Sequence, residues 1–221
     1  MNLLAFPSRP PVAAAVEADP ALLAAALMQS RQTILPKRLV APGPDAKQLD
    51  AILTAAATAP DHGQLLPWRF VLVPQEARDR LGDVFAAALL ARDALAAAEQ
   101  VTQAREKAYR APLLMLLVVD EKRGDADIDL AERIVSAGCA VQNMLLMATA
   151  LGYGSALTSG KALKSDELRA LFGLDAAEHA LCFVSIGTAL SRKPARLRPA
   201  PRDFVTSLSP DGDAADSSFS L

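Results

Sequence analysis

Residues Leu113–Val119 read LLMLLVV, an unbroken apolar run. Successive residues of a strand point to opposite faces, so a strand of this composition has no face to offer water. It has to lie in a sheet covered on both sides, and helices supply that cover in layered α/β or α+β domains. Leu181–Ile186 (LCFVSI) reads as a second buried strand, and Trp68–Val73 (WRFVLV) as a third by its β-branched and aromatic content. Phe204–Leu208 is expected to be a last strand.

The helices are legible from their ends. Asp19-Pro20 is an N-cap followed by proline at the first helical position, opening a helix over Ala21–Ser30. Asp45 and Gln48 form a capping box for a second helix. Its Leu49, Ile52, Leu53 and Ala56 fall at helical spacing, and Pro60 ends it near Thr58. Each large side chain buried there contributes about 1.5–3 kcal/mol. The Ala-rich stretch from Gln75 to about Lys107 forms two helices or one bent one. A long helix over Asp129–Leu151 places Ile134, Val141, Leu145 and Ala148 on one stripe, with Gly152 as its C′ residue. Glu132, Arg133, Gln142 and Asn143 on that helix argue against a membrane span. Ser165–Phe172 is a short helix closed by Gly173.

No internal repeat and no interior linker interrupts this order, so one domain is expected over residues 19–208. Residues 1–18 read as a flexible extension and 209–221 as a flexible tail. Pro7, Pro10 and Pro11 break the early apolar run, which is not the pattern of a secretory signal. The chain's 23 basic and 25 acidic side chains leave a net charge of −2, which excludes an electrostatically driven nucleic-acid binder. Hydrophobic residues make up 52% but aromatics only 5%, so the apolar content is Ala, Leu and Val and calls for more covering surface than one core. Two cysteines in 221 residues are no disulfide framework, which points to a reducing, cytoplasmic setting.

Side-chain chemistry is sparse. The histidines are His62 and His179 and the cysteines Cys139 and Cys182, with no metal-ligand spacing among them. Both cysteines read as small core residues. Neither a G-x-S-x-G elbow nor a phosphate-cradling G-x-x-x-x-G-K-[ST] loop occurs. Gly152-Tyr153-Gly154-Ser155 follows a helix instead of joining strand to helix, so a Rossmann reading fails on context. Any redox or group-transfer chemistry then belongs to a bound cofactor.

Three segments point to which cofactor. Arg31-Gln32-Thr33, Ala59-Pro60-Asp61-His62-Gly63-Gln64-Leu65-Leu66-Pro67-Trp68 and Gly152-Tyr153-Gly154-Ser155 occur in this order. With Ser136-Ala137-Gly138-Cys139-Ala140, Ser159-Gly160 and Ile186-Gly187-Thr188, they resemble the FMN-dependent nitroreductases, in particular a short single-domain subgroup with an A-P-D-H segment before its P-W. The similarity runs from about Ala21 to Ser207. It implies a mixed central sheet flanked by helices in an intertwined homodimer, with two FMN sites at the subunit interface. It also implies ping-pong hydride transfer from NADH or NADPH to the flavin and on to a small electrophilic acceptor such as a nitroaromatic or quinone. Neither a metal, an obligatory catalytic side chain, a nucleic acid nor a membrane is implied. The Ala-rich helices around 85–98 and 134–150 would then pack across the subunit interface and over the flavin.

The resemblance also assigns residues. Arg31, Gln32 and Thr33 correspond to the family's phosphate segment, where guanidinium and hydroxyl groups can grip a phosphate monoester. A basic residue at a helix end is also ordinary on its own account. Thr58 and His62 correspond to positions that reach the partner's flavin, and Gln64 stands where relatives commonly carry Asn. Glycine in Gly152–Ser159 lets backbone approach a flat ring, and Leu157, Thr158 and Ser159 align with flavin contacts. Among Arg192, Lys193, Arg196 and Arg198, Arg192 is the first choice for a phosphate contact. One departure stands out. Leu35 occupies a position where many relatives place a basic residue near the flavin N1–O2 edge, which leaves His62, Lys37 or Arg38 to supply that charge. A related flavoenzyme acting on oxygen, an enone or a halogenated aromatic, and a flavin-binding dimer without turnover, are the alternatives.

Overall fold

The LLMLLVV run forms the centre of the sheet. In a computed structural model, which describes residues 19–192, 194 and 197–208, it lies in β3 (Leu113–Asp120). β3 pairs antiparallel with β2 (Trp68–Leu72) on one edge and with β5 (Glu178–Ala189) on the other. β4 (Gly154–Thr158) pairs with the far edge of β5, and β1 (Leu39–Val40) with its last two residues. These ladders are all antiparallel, and a parallel bridge from Thr33 to Ser155 makes the sheet mixed.

Alternation along β3 builds two cores. Met115, Leu117 and Val119 face a cluster closed by α2 (Ala46–Ala56) and α5 (Leu130–Ala150), through residues such as Ile52, Met144 and Leu145. Leu114, Leu116 and Val118 face the opposite cluster, closed by Leu81 of α3 (Arg78–Leu90) and Leu168 of α6 (Asp166–Phe172). Met115 and Leu116 are both wholly inaccessible, as a strand sandwiched between helices requires. Trp68 is core, and its indole Nε1 donates to Ser136 Oγ at 3.0 Å. α1 (Pro20–Ser30) and α4 (Ala98–Glu106) complete the helices.

The local signals act as their chemistry dictates. Asp19 accepts from the Ala21 amide, Asp45 and Gln48 close a reciprocal capping box, and Asp129 accepts from the Glu132 amide. Gly173 ends α6 in the left-handed region at φ 60°. Residues 75–107 resolve into two helices, α3 and α4. Among the described residues, no helix is long and apolar enough to cross a membrane, and no group of three or more His, Cys, Asp or Glu is placed to hold a metal ion.

Two expectations are corrected. Phe204–Leu208 is not a strand, because Pro201–Asp203 forms a tight turn and Phe204 leaves it at φ −144°, ψ 4°, which is not extended backbone. Ile134 is exposed, because Arg133 takes the inward position at that end of α5. The expectations for residues 1–18 and 209–221, and for Lys193 and Arg196, lie outside the described residues.

Candidate functional site

Two clefts meet at Leu35. The first, of about 560 Å³, opens where the chain leaves α1. Arg31 follows the helix end, its amide donating to Leu27 O at 3.2 Å. The Thr33–Ser155 bridge and the Ile34 amide, which donates to Ser155 O at 2.9 Å, then pin the segment against β4. Arg31, Gln32 and Thr33 line this cleft together, with Arg38 and Arg198. Arg198 also donates to Arg31 O at 3.3 Å. Among the described residues the lining holds three guanidinium groups and no carboxylate, and none of the three is in an ion pair. This donor set matches a dianionic phosphate ester, which guanidinium can bind through paired charge-assisted hydrogen bonds.

The second cleft, of about 570 Å³, runs from Leu35 along the chain leaving β4 to the α3–α4 pair. Thr158, Ser159 and Gly160 form one wall; Phe85, Leu89 and Phe183 give it an apolar surface. Gly160 has an ordinary extended backbone, φ −146° and ψ 167°, and a Cβ placed on it would meet nothing within 4 Å. A flat ligand could therefore lie close against this backbone. Gly152 and Gly154 each have a local structural role. Gly152 takes φ +87° in the turn after α5, which favours glycine, and a Cβ on Gly154 would fall 2.9 Å from Ile34 and Leu39 carbons. Gly152 thus closes α5 as the expected C′ residue, and Gly154 is required by packing.

The remaining sequence-derived residues are distributed elsewhere. Leu157 pairs with Val184 of the first core and Thr158 with Phe183 of the second, so the two point to opposite faces and Leu157 does not line the cleft. Arg192 donates to Gly152 O at 3.1 Å and lines neither cleft, whereas Arg198 lines the first. Thr58, His62 and Gln64 also stand outside both clefts, beside α5. Thr58 Oγ1 accepts from Asn143 Nδ2 at 3.0 Å, and His62 Nδ1 lies 2.8 Å from Glu132 Oε2. Gln64 and Leu66 carry positive φ, 53° and 48°, in a turn held by Asp61, whose carboxylate accepts from the Leu66 amide at 2.6 Å. Strain in non-glycine residues clusters at binding sites, and here it presents the DHGQLL turn outward.

Four basic residues escaped notice in the sequence. Arg92, Lys107, Arg110 and Lys161 line the second cleft. Lys107 and Arg110 had a readable signal, since they stand just before the apolar run of β3. Arg92 and Lys161 had none, because only the packing of α3 and α4 beside β4 brings them in. Neither cysteine lines either cleft, and burial pushes the Cys182 thiol up to about 11, which removes it as a nucleophile.

Comparison with known proteins places this architecture. The model of the Nitroreductase family matches residues 29–188. A Haemophilus influenzae protein named "Putative NAD(P)H nitroreductase" is 34% identical over 173 residues, covering 78% of this chain and 93% of the relative. An Escherichia coli K12 relative, named "Putative NAD(P)H nitroreductase YdjA", is also 34% identical over 173 residues, covering 76% and 91%. Among solved structures, the nitroreductase-like family protein from Bacillus cereus superposes with a TM-score of 0.71 at 18% identity, over 82% of this chain and 93% of that one. The FMN-dependent nitroreductase NfnB from Mycobacterium smegmatis, solved in complex with NADPH, gives 0.65 at 19% identity, over 85% and 98%. At these identities the structures establish a shared fold.

Proposed function

Because this chain belongs to the nitroreductase family, we propose that it is an FMN-dependent oxidoreductase that takes hydride from NADH or NADPH and delivers it to a nitroaromatic, quinone or similar electrophile, working as a homodimer. The observation that carries this reading is the pair of clefts joined at Leu35, one lined by basic and no acidic side chains among the described residues, the other apolar-walled beside open backbone. A phosphate monoester tethered to a planar ring needs that combination.

Arg31, Arg38 and Arg198 would hold the phosphate, with Thr33 adding a hydroxyl and Gln32 an amide. The backbone and hydroxyls of Thr158–Gly160 would flank the ring. Arg110, half-buried, and Lys107 supply positive charge on the ring side that Leu35 does not. When bound, FMN provides a two-electron carrier that accepts hydride from the nicotinamide and passes it to the acceptor. The protein's part is to hold ring, donor and acceptor in register within a partly dry cleft; no side chain of the cleft is needed as an acid or base.

A homodimer gives the remaining features a role. α1 has no buried residue, and its Leu22, Leu23 and Met28 are all more than half exposed. Ile134 and Val135 of α5 are exposed too. Such apolar surface calls for a partner, and a second copy would cover it. Across that interface Thr58, His62 and Gln64 would reach the partner's cleft, which explains why one chain does not converge them on its own.

Flavin retention tests the assignment. After incubation with FMN and desalting, the wild-type protein should stay yellow. Arg31→Ala and Arg198→Ala should each lose FMN, with affinity weakened roughly 30-fold for a lost charge-assisted pair. A wild-type protein that stays colourless would refute the cofactor, and full retention by Arg31→Ala would refute the phosphate site.

A further inference from the structure

Resting on the flavin reading above, the geometry points to an anion-binding station in the second cleft, where Arg92, Lys107, Arg110 and Lys161 receive a planar ligand that carries a carboxylate or a phosphate. These cations come from separate parts of the chain: Arg92 from the turn after α3, Lys107 and Arg110 from the segment after α4, Lys161 from the turn after β4. Among the described residues no carboxylate lines the cleft with them, and none of the four is in an ion pair. Arg105 on α4 makes the contrast, since it lines no cleft and is paired with Asp83.

Four like charges around one apolar-walled cavity repel one another until an anion enters. The FMN phosphate would be matched by Arg31, Arg38 and Arg198 in the neighbouring cleft, and the ring itself presents at most one negative edge. Positive charge is therefore left over on the ring side. Gln100 of α4, whose Oε1 accepts from the Ala97 amide at 2.9 Å, leaves its amide nitrogen to donate on the same wall. Gln103 Nε2 already donates to Glu99 Oε1 at 3.1 Å. In ping-pong turnover donor and acceptor occupy this cleft in turn, so the anion has two sources, a carboxylate on the acceptor or a phosphate on the nicotinamide nucleotide.

Benzoate and its neutral counterpart benzamide, neither of them reducible by the enzyme, are the probes, titrated into FMN-loaded protein while the visible spectrum of the bound flavin is followed. Benzoate should bind about tenfold more tightly, the size of one charge-assisted hydrogen bond. The preference should fade with added salt, because the rim is exposed. It should shrink clearly, without vanishing because Lys107 and Arg110 remain, in the Arg92→Gln/Lys161→Gln double variant, whose altered side chains are both exposed, and persist in full in Lys47→Gln, a cation lining neither cleft. Separate half-reactions then name the source. Para-nitrobenzoate is compared with para-nitrobenzamide as oxidant, and NADPH with NADH as reductant; the half-reaction whose charge preference shrinks in the double variant carries the anion. Equal binding of benzoate and benzamide, or a double variant that shifts neither half-reaction, would overturn the proposal. Protein that takes up no FMN overturns the flavin reading instead, and the benzoate titration, followed by calorimetry on that protein, still decides the anion station.

Discussion

Arg78 and Arg133 are each 1% exposed, and neither is in an ion pair with a carboxylate among the described residues. Each is held by backbone carbonyls instead. Arg78 donates to Val73 O at 2.8 Å, Ala108 O at 2.5 Å and Pro112 O at 3.3 Å. Its burial pulls the guanidinium below its ordinary value, though nowhere near neutrality at physiological pH. Ala108 and Pro112 bracket Arg110, so Arg78 fixes the segment that carries two of the cleft cations. Arg78→Met should cost about 3 kcal/mol in urea unfolding, since it strands these acceptors; a loss under about 1 kcal/mol would mean that they find water. Ser155 should behave oppositely. Its Oγ is buried with no hydrogen-bond partner among the described residues, so Ser155→Ala should be neutral or stabilising by up to about 1 kcal/mol in the same measurement. Gly160→Val separates binding from folding. The backbone there suits any residue and the space is open, so the melting temperature should hold while FMN retention falls.

At the scale of elements, the sheet is clamped at one end by Arg69 of β2 and Glu178 of β5, at 2.7 Å and 3.2 Å across β3. The Arg69 hydrogen bonds hold the Glu178 carboxyl below the usual carboxylate range, offset in part by burial. A lowered folded pKa contributes stability above the unfolded pKa that is lost as pH falls through the folded value. Glu178→Gln should therefore cost about 1 kcal/mol at neutral pH, and wild type and variant should converge only as pH falls below the usual carboxylate range. A difference unchanged at low pH would assign the effect to packing. Arg69 is 42% exposed, so solvent keeps this contribution small.

Elements of this kind were legible where their cause is local. The all-apolar β3, the Asp45–Gln48 box, the Asp129 cap and Gly173 each carry their instruction within a few residues. So does Arg31-Gln32-Thr33, whose place in a basic cleft follows from leaving α1 and bridging to β4. Placements that depend on distant parts of the chain were not legible. Arg198 rather than Arg192 joins Arg31 because of how the chain returns after β5, and Arg92 and Lys161 meet only through helix packing. Leu157 and Thr158 are neighbours in sequence, but strand alternation sends the two to opposite faces.

For the whole molecule, the apolar surplus in the composition has a structural counterpart. α1 contributes Leu22, Leu23 and Met28 to the surface and nothing to the core. If a second copy covers this face, Leu22→Ser/Leu23→Ser should shift the protein from dimer toward monomer in sedimentation. It should also lower FMN affinity, because Thr58, His62 and Gln64 would no longer be brought to the partner's cleft. Unchanged sedimentation would place the interface elsewhere. The near-zero net charge of −2 conceals the feature that matters, which is positive charge gathered in two adjoining clefts that no acidic side chain lines among the described residues. The most direct measurement follows the visible flavin absorbance of the desalted, FMN-loaded protein under anaerobic addition of NADH or NADPH. Absorbance of about one flavin per chain should be present, should bleach on adding the nucleotide, and should return when a nitroaromatic or quinone is supplied; a protein that holds no flavin, or whose flavin neither nucleotide bleaches, would contradict the account.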